Sequence, residues 1–201
     1  MKNLFFFDID TQKDFMLETG ALHVPGAGRV IPKLRRLFDF ADKSDILIVS
    51  TMDTHTADDP EFTEFPQHCI KSTDGWRKLD DTLFPHPLVF TTAPANRNLA
   101  ECVRKNRQII VEKNTFDVFS NPVMDMLTRV LPPRAIVFGV ATEYCVKKAV
   151  LGLRRLGIQT AVIDDAVRAI APKTGKEAIE EMRSAGADFI SLANLFDFGR
   201  G

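Results

Sequence analysis

The side chains with the clearest chemical potential in this sequence are a carboxylate, an amine and a thiol. Asp10, Lys113 and Cys145 each lie at or just beyond the end of a short apolar run. A carboxylate within hydrogen-bond reach of a thiol can take its proton, and the thiolate can then attack a carbonyl carbon. A lysine beside both ionised groups would stabilise them, whereas a lysine on its own is more typically a surface residue with a packed stem.

Cys145 is the best candidate nucleophile because an apolar helical pattern begins directly after it. A helix dipole favours the thiolate form of a thiol at the helix N-terminus, and the free N–H groups there could hold an oxyanion. The alternative is a buried structural cysteine, which is the commonest role of an isolated one. Cys102 lies in an amphipathic pattern and is interpreted as a packing residue, and Cys69 adjoins His68.

Two carboxylates compete for the role of base. Asp10 comes directly after the first apolar run, and Asp8 lies two residues earlier in it. Strand alternation places both on one side, with Asp8 one layer deeper. The alternative for Asp10 is a structural role in which its carboxylate accepts hydrogen bonds from nearby loop N–H groups.

A second group of residues has the composition of a metal site. Asp53, His55 and His68 offer one carboxylate and two imidazoles, and Glu61 could supply a fourth, oxygen ligand. Such a set suits Zn, Fe or Mn and leaves positions for water or substrate. The alternative is a polar loop whose histidines are satisfied by hydrogen bonds.

Composition limits the classes of protein to which this chain could belong. The 201 residues are 45% hydrophobic and 26% charged, which predicts a single domain over residues 1–201. A net charge of -1 gives no broad footprint for nucleic acid or an anionic membrane. Apolar runs are too short for a membrane span or a secretory signal, and an odd number of cysteines, three, argues against a disulfide framework. We therefore expect a cytoplasmic protein.

The elements that must position these residues form an alternating pattern. Helical patterns separate most of six short apolar runs, which are residues 4–9, 46–50, 88–91, 108–111, 135–140 and 159–163. Alternating strands and helices predict a mostly parallel sheet with right-handed crossovers. The candidate residues follow these strands, so they should meet at the carboxyl edge of the sheet, where ligands of such folds bind. The aperiodic segment 53–87 is expected to be a functional loop.

Taken together, these motifs resemble the isochorismatase-like cysteine hydrolases, and within them the nicotinamidases. Four stretches carry the resemblance: residues 7–15 (FDIDTQKDF), residues 53–55 with 65–69 (DTH and FPQHC), the segment around Lys113, and residues 139–146 (GVATEYCV). In order and spacing they span nearly the whole chain.

The resemblance implies a Rossmann-like α/β/α sandwich with a six-stranded, mostly parallel sheet. It implies an Asp–Lys–Cys triad at Asp10, Lys113 and Cys145, and a cis peptide bond between Val140 and Ala141. In the family this geometry aims the N–H groups of Ala141 and of the cysteine, here Cys145, at one oxyanion.

The resemblance also implies a metal that holds the ring nitrogen of the substrate. Its ligands would match Asp53, His55 and His68, with Glu61 where many nicotinamidases have a further histidine. Phe15 and Phe65 match positions that flank the substrate ring, and Phe116 and Phe119 are weaker candidates for that role.

The function implied is hydrolysis of nicotinamide, or of a close aromatic carboxamide, to the acid and ammonia through a thioester. The alternative is another cysteine hydrolase of the superfamily that acts without metal on a ureido, carbamoyl or other small amide. A small-molecule amide is then the expected partner, with no nucleotide cofactor because no glycine-rich phosphate fingerprint follows the first strand. Relatives are often dimers or larger, which leaves a homo-oligomer open. A non-catalytic binding domain that kept the fold is a further rival, which turnover of any small amide would exclude.

Overall fold

The computed structural model describes residues 3–93 and 96–195. Within these residues the chain forms one seven-stranded parallel sheet in the order β3-β4-β2-β1-β5-β6-β7. The strands are β1 (Phe5–Ile9), β2 (Ile48–Asp53), β3 (Leu88–Phe90), β4 (Gln108–Lys113), β5 (Arg134–Val140), β6 (Gln159–Arg168) and β7 (Asp188–Ile190). The expected α/β class and parallel sheet are confirmed.

The sheet has one more strand than the six expected. β7 is only three residues long, begins with an exposed aspartate and lies at the sheet edge beside β6. A segment this short carries no recognisable periodicity, which is why the sequence pattern does not reveal it.

Helices cover both faces of the sheet. They are α1 (Lys13–Met16), α2 (Ile31–Ser44), α3 (Leu99–Lys105), α4 (Pro122–Thr128), α5 (Lys147–Arg155) and α6 (Pro172–Ser184). Phe5 and Phe7 of β1 pack in the core that holds α4, α5 and α6, while Phe6 packs in the core beneath α2. Successive strand residues thus serve opposite layers, as the three-layer arrangement requires.

The start of α6 differs from the capping box that residues Thr174 and Glu177 suggest. The helix begins at Pro172, so Thr174 lies inside its first turn. Its hydroxyl donates to the Glu143 carboxylate, which also accepts the N–H groups of Ile170 and Ala171. A residue distant in sequence therefore replaces the local cap.

The order of the strands reverses at β1, which pairs with β2 on one side and β5 on the other. Beyond the carboxyl ends of such neighbouring strands a crevice forms in doubly wound sheets. The residues that follow β1, β2, β4 and β5 are therefore the ones that the fold brings together. None of the helices among the described residues is long and apolar enough to cross a membrane.

Candidate active site

Three strand ends bring Asp10, Lys113 and Cys145 into contact. Lys113 Nζ lies 2.8 Å from Asp10 Oδ2 and 3.6 Å from Cys145 Sγ. An oxygen of the Asp10 carboxylate also lies within 4.8 Å of the Cys145 sulfur. All three residues are buried. The structure thus assembles the acid, amine and thiol into one compact group.

Local backbone structure aims Asp10 at this group. Asp10 has a φ of 47°, in the left-handed region that aspartate tolerates better than most residues. Its N–H donates to Thr51 Oγ1 at 3.1 Å, and the Thr51 hydroxyl donates to Asp10 Oδ1 at 2.5 Å. One threonine of β2 therefore contacts both the backbone and the carboxylate of Asp10.

Asp8, the competing carboxylate, has different partners. Lys78 Nζ lies 2.6 Å from Asp8 Oδ2, and the Thr11 hydroxyl donates to Asp8 Oδ1 at 2.9 Å. Both members of this ion pair are buried. Asp8 therefore belongs to a separate buried pair beneath the strand end.

The electrostatics of the group show why an adjacent base is needed. Burial, to which the Asp10 charge adds, raises the pKa of the Cys145 thiol well above its ordinary value although Lys113 opposes this. Burial likewise raises the pKa of Asp10. For Lys113, burial acts to lower the pKa, but the carboxylates of Asp10 and Asp53 hold it above its ordinary value. A protonated thiol becomes nucleophilic only when a neighbour accepts its proton.

Cys145 lies in a tight turn between β5 and α5. Residues Thr142–Val146 form one π-helical turn that continues into α5. Cys145 therefore lies at the start of a helix, as expected. The peptide bond between Val140 and Ala141 is cis.

The other two cysteines lie outside this group. Cys69 is fully buried, and burial raises its thiol pKa far above the ordinary value. Its backbone is structural, because its N–H donates to Asp14 Oδ2 and its carbonyl accepts the His55 N–H. Cys102 packs at the edge of the core on α3.

A second cluster adjoins the first through Lys113, whose Nζ also donates to Asp53 Oδ1 at 2.5 Å. His55 Nε2 and His68 Nε2 each lie 3.8 Å from Asp53 Oδ2, and His68 Nε2 lies 3.9 Å from Glu61 Oε1. Ligand atoms from all four residues fall within 4.8 Å of one another. The two imidazoles and two carboxylates predicted as ligands therefore do converge.

The donor set fits a divalent cation. His55 Nδ1 lies 3.0 Å from Asp59 Oδ2, and His68 Nδ1 is 2.7 Å from the Pro66 carbonyl oxygen. These outer partners orient both Nε2 atoms toward Asp53, as in many metal-binding histidines. His55 Nε2 is buried and has no hydrogen-bond partner among the described residues.

The charges around this cluster support the same interpretation. Burial raises the pKa of Glu61, and the negative charge of Asp53 adds to the effect. Burial acts to lower the pKa of His55, yet the neighbouring carboxylates of Asp53 and Asp59 raise it to about 9. The contribution of Asp53 to both shifts reflects negative charge in the cluster, which a bound cation would neutralise.

An aromatic cleft opens onto both clusters. It has about 400 Å³ of empty space, including its solvent-open mouth, and Asp53, Glu61, His68 and Cys145 line it among other residues. Its apolar walls include Phe15, Leu22, Phe65, Phe116, Val140, Tyr144 and Ile170.

The predicted aromatic residues divide between this cleft and the core. Phe15 and Phe65 line the cleft, as does the partly exposed Phe116. Phe119 does not, because its ring packs against Gly152 of α5. Phe119 therefore does not belong to the lining of this cleft.

Several residues that shape the site escaped the sequence reasoning. Gln12 holds the end of β2, because its side chain bonds both the N–H and the carbonyl of Asp53 and also the Trp76 carbonyl. Tyr144 lines the cleft and makes edge contacts with Phe65. Gln12 and Tyr144 lie within the motif stretches 7–15 and 139–146, so their position in the sequence could have indicated a role in the site. Thr51 carried none, because its role depends on how β1 and β2 pair.

Comparison with known proteins places the chain among related folds and sequences. The model of the Isochorismatase domain matches residues 5–194. The nicotinamidase of Escherichia coli (strain K12) is 28% identical over 92% of this chain and 93% of its own length. The nicotinamidase/pyrazinamidase of Mycobacterium tuberculosis (strain ATCC 25618 / H37Rv) is 27% identical over 90% of this chain and 95% of its own length.

Solved structures agree with this placement. The crystal structure of the pyrazinamidase of Pyrococcus horikoshii in complex with zinc superimposes with a TM-score of 0.76 and 27% sequence identity. The match covers 94% of this chain and 99% of that one. The fold described above is therefore shared along almost its full length.

Proposed function

Since the chain belongs to the Isochorismatase domain family, we propose that it is a cysteine amidohydrolase that converts nicotinamide, or a close aromatic carboxamide, to the acid and ammonia. The observation that carries the proposal is the contact of Lys113 Nζ with Asp10, Cys145 and Asp53 at the base of an aromatic cleft. Relatives of similar length that are named nicotinamidases support the choice of substrate class.

The proposed first half-reaction forms a thioester. Asp10 accepts the proton of the Cys145 thiol as sulfur attacks the amide carbonyl carbon. The N–H groups of Ala141 and Cys145 hold the oxygen that gains negative charge, and Lys113 stabilises the anionic groups beside it. Asp10 then returns the proton to the amide nitrogen, the C–N bond breaks, and ammonia leaves.

The second half-reaction releases the acid. Asp10, again a carboxylate, accepts a proton from water as the water oxygen attacks the thioester carbon. The same two N–H groups hold the oxyanion. The C–S bond then breaks and the proton returns to sulfur, which regenerates the thiol.

We assign the second cluster to a divalent metal held by Asp53, His55 and His68, with Glu61 as a fourth ligand. When bound, the ion would supply a Lewis acid that holds the ring nitrogen of the substrate. The partner-free Nε2 of His55 supports this assignment, as does the zinc complex of the Pyrococcus horikoshii pyrazinamidase. Iron and manganese suit the same donors, because a carboxylate in the set makes it harder and more anionic.

The walls of the cleft would hold the ring. Phe15 contacts His68 with ring centroids 5.4 Å apart, so it places an aromatic surface directly beside the metal ligands. Phe65 lies toward Tyr144, at a centroid distance of 6.1 Å. A flat heteroaromatic amide could lie between these surfaces with its carbonyl near Cys145 and its ring nitrogen near His68.

The alternative is a metal-free hydrolase of ureido, carbamoyl or other small amides within the same family. It shares the triad and differs in needing no ligand cluster. The convergence of four ligand atoms within 4.8 Å favours the metal-dependent reading.

The test is release of ammonia by the purified protein from nicotinamide, pyrazinamide, benzamide and a set of ureido compounds, with metal analysis of the same sample. Cys145→Ala should abolish turnover, because the variant has no nucleophile. Cys102→Ser should keep nearly all of it and serves as the matched control, since Cys102 packs away from the cleft.

Two results would change the proposal. Turnover of ureido compounds with none of nicotinamide would favour the alternative. Near-normal kcat in Cys145→Ala would rule out both mechanisms, because both depend on the thiol.

A further inference from the structure

Thr51 is a polar residue at a fully buried position of β2. A hydroxyl that is removed from water without a partner costs free energy, so its presence there calls for bonds that compensate. Among the residues that the structure describes, both hydrogen bonds of the Thr51 hydroxyl go to one residue. Thr51 Oγ1 accepts the Asp10 N–H at 3.1 Å and donates to Asp10 Oδ1 at 2.5 Å.

This pair of bonds fixes the direction of the hydroxyl proton. The backbone N–H of Asp10 can only donate, so it occupies a lone pair of Thr51 Oγ1. The hydroxyl proton is then free to point at Asp10 Oδ1. A short bond to a charged oxygen is among the stronger hydrogen bonds in proteins.

The same contacts divide the two carboxylate oxygens between two partners. Oδ1 faces Thr51, and Oδ2 lies 2.8 Å from Lys113 Nζ. Lys113 is shared, because its Nζ also contacts Asp53 and Cys145. Lys113 alone therefore cannot define how the Asp10 carboxylate is rotated. Among the described residues, the Thr51 hydroxyl hydrogen-bonds only to Asp10, so it can fix both the rotation of the carboxylate and the position of the backbone.

We propose that Thr51 is a positioning residue that holds the Asp10 carboxylate in the orientation in which it accepts the proton of Cys145. The inference rests on the proposed function and adds to it a residue of β2 that touches neither the thiol nor the cleft. Its loss should slow proton transfer without weakening the binding of substrate.

The experiment compares Thr51→Val, which keeps the shape and removes the hydroxyl, with Thr51→Ser, which keeps the hydroxyl. Thr160→Val is the matched control, because Thr160 is an equally buried strand threonine whose hydroxyl donates to the Ile158 carbonyl. Steady-state kcat and KM are measured with nicotinamide. Alkylation of Cys145 by iodoacetamide at one fixed pH is followed by peptide mapping of the intact chain.

In Thr51→Val we expect kcat to fall about 10- to 100-fold, the range for loss of a hydrogen bond to a charged group, with KM changed less than about twofold. Alkylation of Cys145 should slow in parallel, because it too needs the thiol proton to leave. Thr51→Ser should recover most of kcat and of the alkylation rate. Thr160→Val should resemble the unmodified protein in both.

Equal kcat in Thr51→Val and Thr160→Val would overturn the inference. Equal losses in Thr51→Val and Thr51→Ser would do the same, because the hydroxyl would then not be the active feature. If Thr51→Val does not fold, Thr51→Ala replaces it, and the inference requires Thr51→Ser to exceed Thr51→Ala in kcat about tenfold or more.

The alkylation readout separates this inference from the proposed function. If the unmodified protein releases no ammonia from any amide, the proposed function fails. The alkylation rates of the Thr51 variants still decide whether Thr51 controls the proton acceptor of Cys145.

Discussion

At the scale of single residues, two aspartates that are two positions apart in the sequence have different roles. Asp10 contacts Lys113 and lies within 4.8 Å of the thiol sulfur, whereas Asp8 is held by Lys78 and Thr11. The chain turns between them, because Asp10 has a positive φ and leaves the strand direction. Substitution of each aspartate by asparagine therefore distinguishes an effect on catalysis from an effect on the free energy of unfolding.

We predict that Asp10→Asn lowers kcat/KM about 10²- to 10⁴-fold, the usual contribution of a positioned proton-transfer group. Asparagine tolerates the positive φ, so the fold should persist. Asp8→Asn should instead reduce the free energy of unfolding by about 3–5 kcal/mol, because it leaves the Lys78 ammonium buried without a counterion. Ammonia release and urea denaturation of both variants check this, and the reverse ranking would assign the base to Asp8.

Residue types alone predicted which side chains meet, but not how they are supported. The residue types suit a metal, and all four residues lie at or after the end of β2. The structure confirms that the four side chains converge: Asp53, His55, Glu61 and His68. Thr51 and Asp59 orient neighbours in these clusters, yet each is an ordinary polar residue in the sequence. Their roles depend on strand pairing and loop path, which no local pattern encodes.

At the scale of elements, one glycine allows β1 and β5 to approach closely beside the site. Gly139 has a φ of 118° and pairs with Ile9. A Cβ at this position would overlap the Ile9 carbonyl oxygen. Asp10 follows Ile9 and Val140 follows Gly139, so this contact sets the spacing of both site segments.

We predict that Gly139→Ala reduces the free energy of unfolding by at least about 3 kcal/mol, since it adds backbone strain to overpacking. Gly28→Ala is the matched control, because no atom lies within 4 Å of its added Cβ, and its cost should stay within about 0.5 kcal/mol. Urea denaturation measures both. A cost for Gly139→Ala as small as that for Gly28→Ala would mean that the two strands can separate freely here.

The elements themselves were largely predictable, and their ends were less so. The six apolar runs correspond to β1 through β6, because strands covered on both faces need continuous apolar residues. β6 continues through Asp164 and Asp165 to Arg168, past the point where its apolar run ends. Asn121 caps α4 by accepting the Val123 N–H, and Asn-Pro is a local signal for such a cap. The cap of α6 could not be foreseen, because Glu143 supplies it across a long stretch of chain.

At the scale of the whole molecule, the site is built from elements on both sides of the point where the strand order reverses. Asp10 follows β1, Asp53 and Lys113 end β2 and β4, and Cys145 follows β5. The second cluster also ties the aperiodic segment to the sheet, because His68 lies 3.8 Å from Asp53. A ligand of this cluster would therefore stabilise the entire fold.

We predict that a divalent cation raises the melting temperature of the chelator-treated protein. At a free concentration about 100 times its Kd, a ligand of the folded state adds about 2.7 kcal/mol, which is about 5–10 °C for a domain of this size. His68→Asn should lose most of this shift, because it removes one imidazole from the cluster. His86→Asn should keep it, since His86 is exposed and its φ of 56° suits asparagine.

The measurement is differential scanning fluorimetry with Zn²⁺, Mn²⁺ and Fe²⁺ added singly, which needs no substrate and so stands apart from the catalytic tests. The relative shifts rank the three ions for this donor set. An equal shift in His68→Asn and His86→Asn would place the stabilising ion somewhere other than the Asp53 cluster. No shift with any ion would favour the metal-free branch of the family, because four converging ligand atoms that bind no cation would have only a structural role.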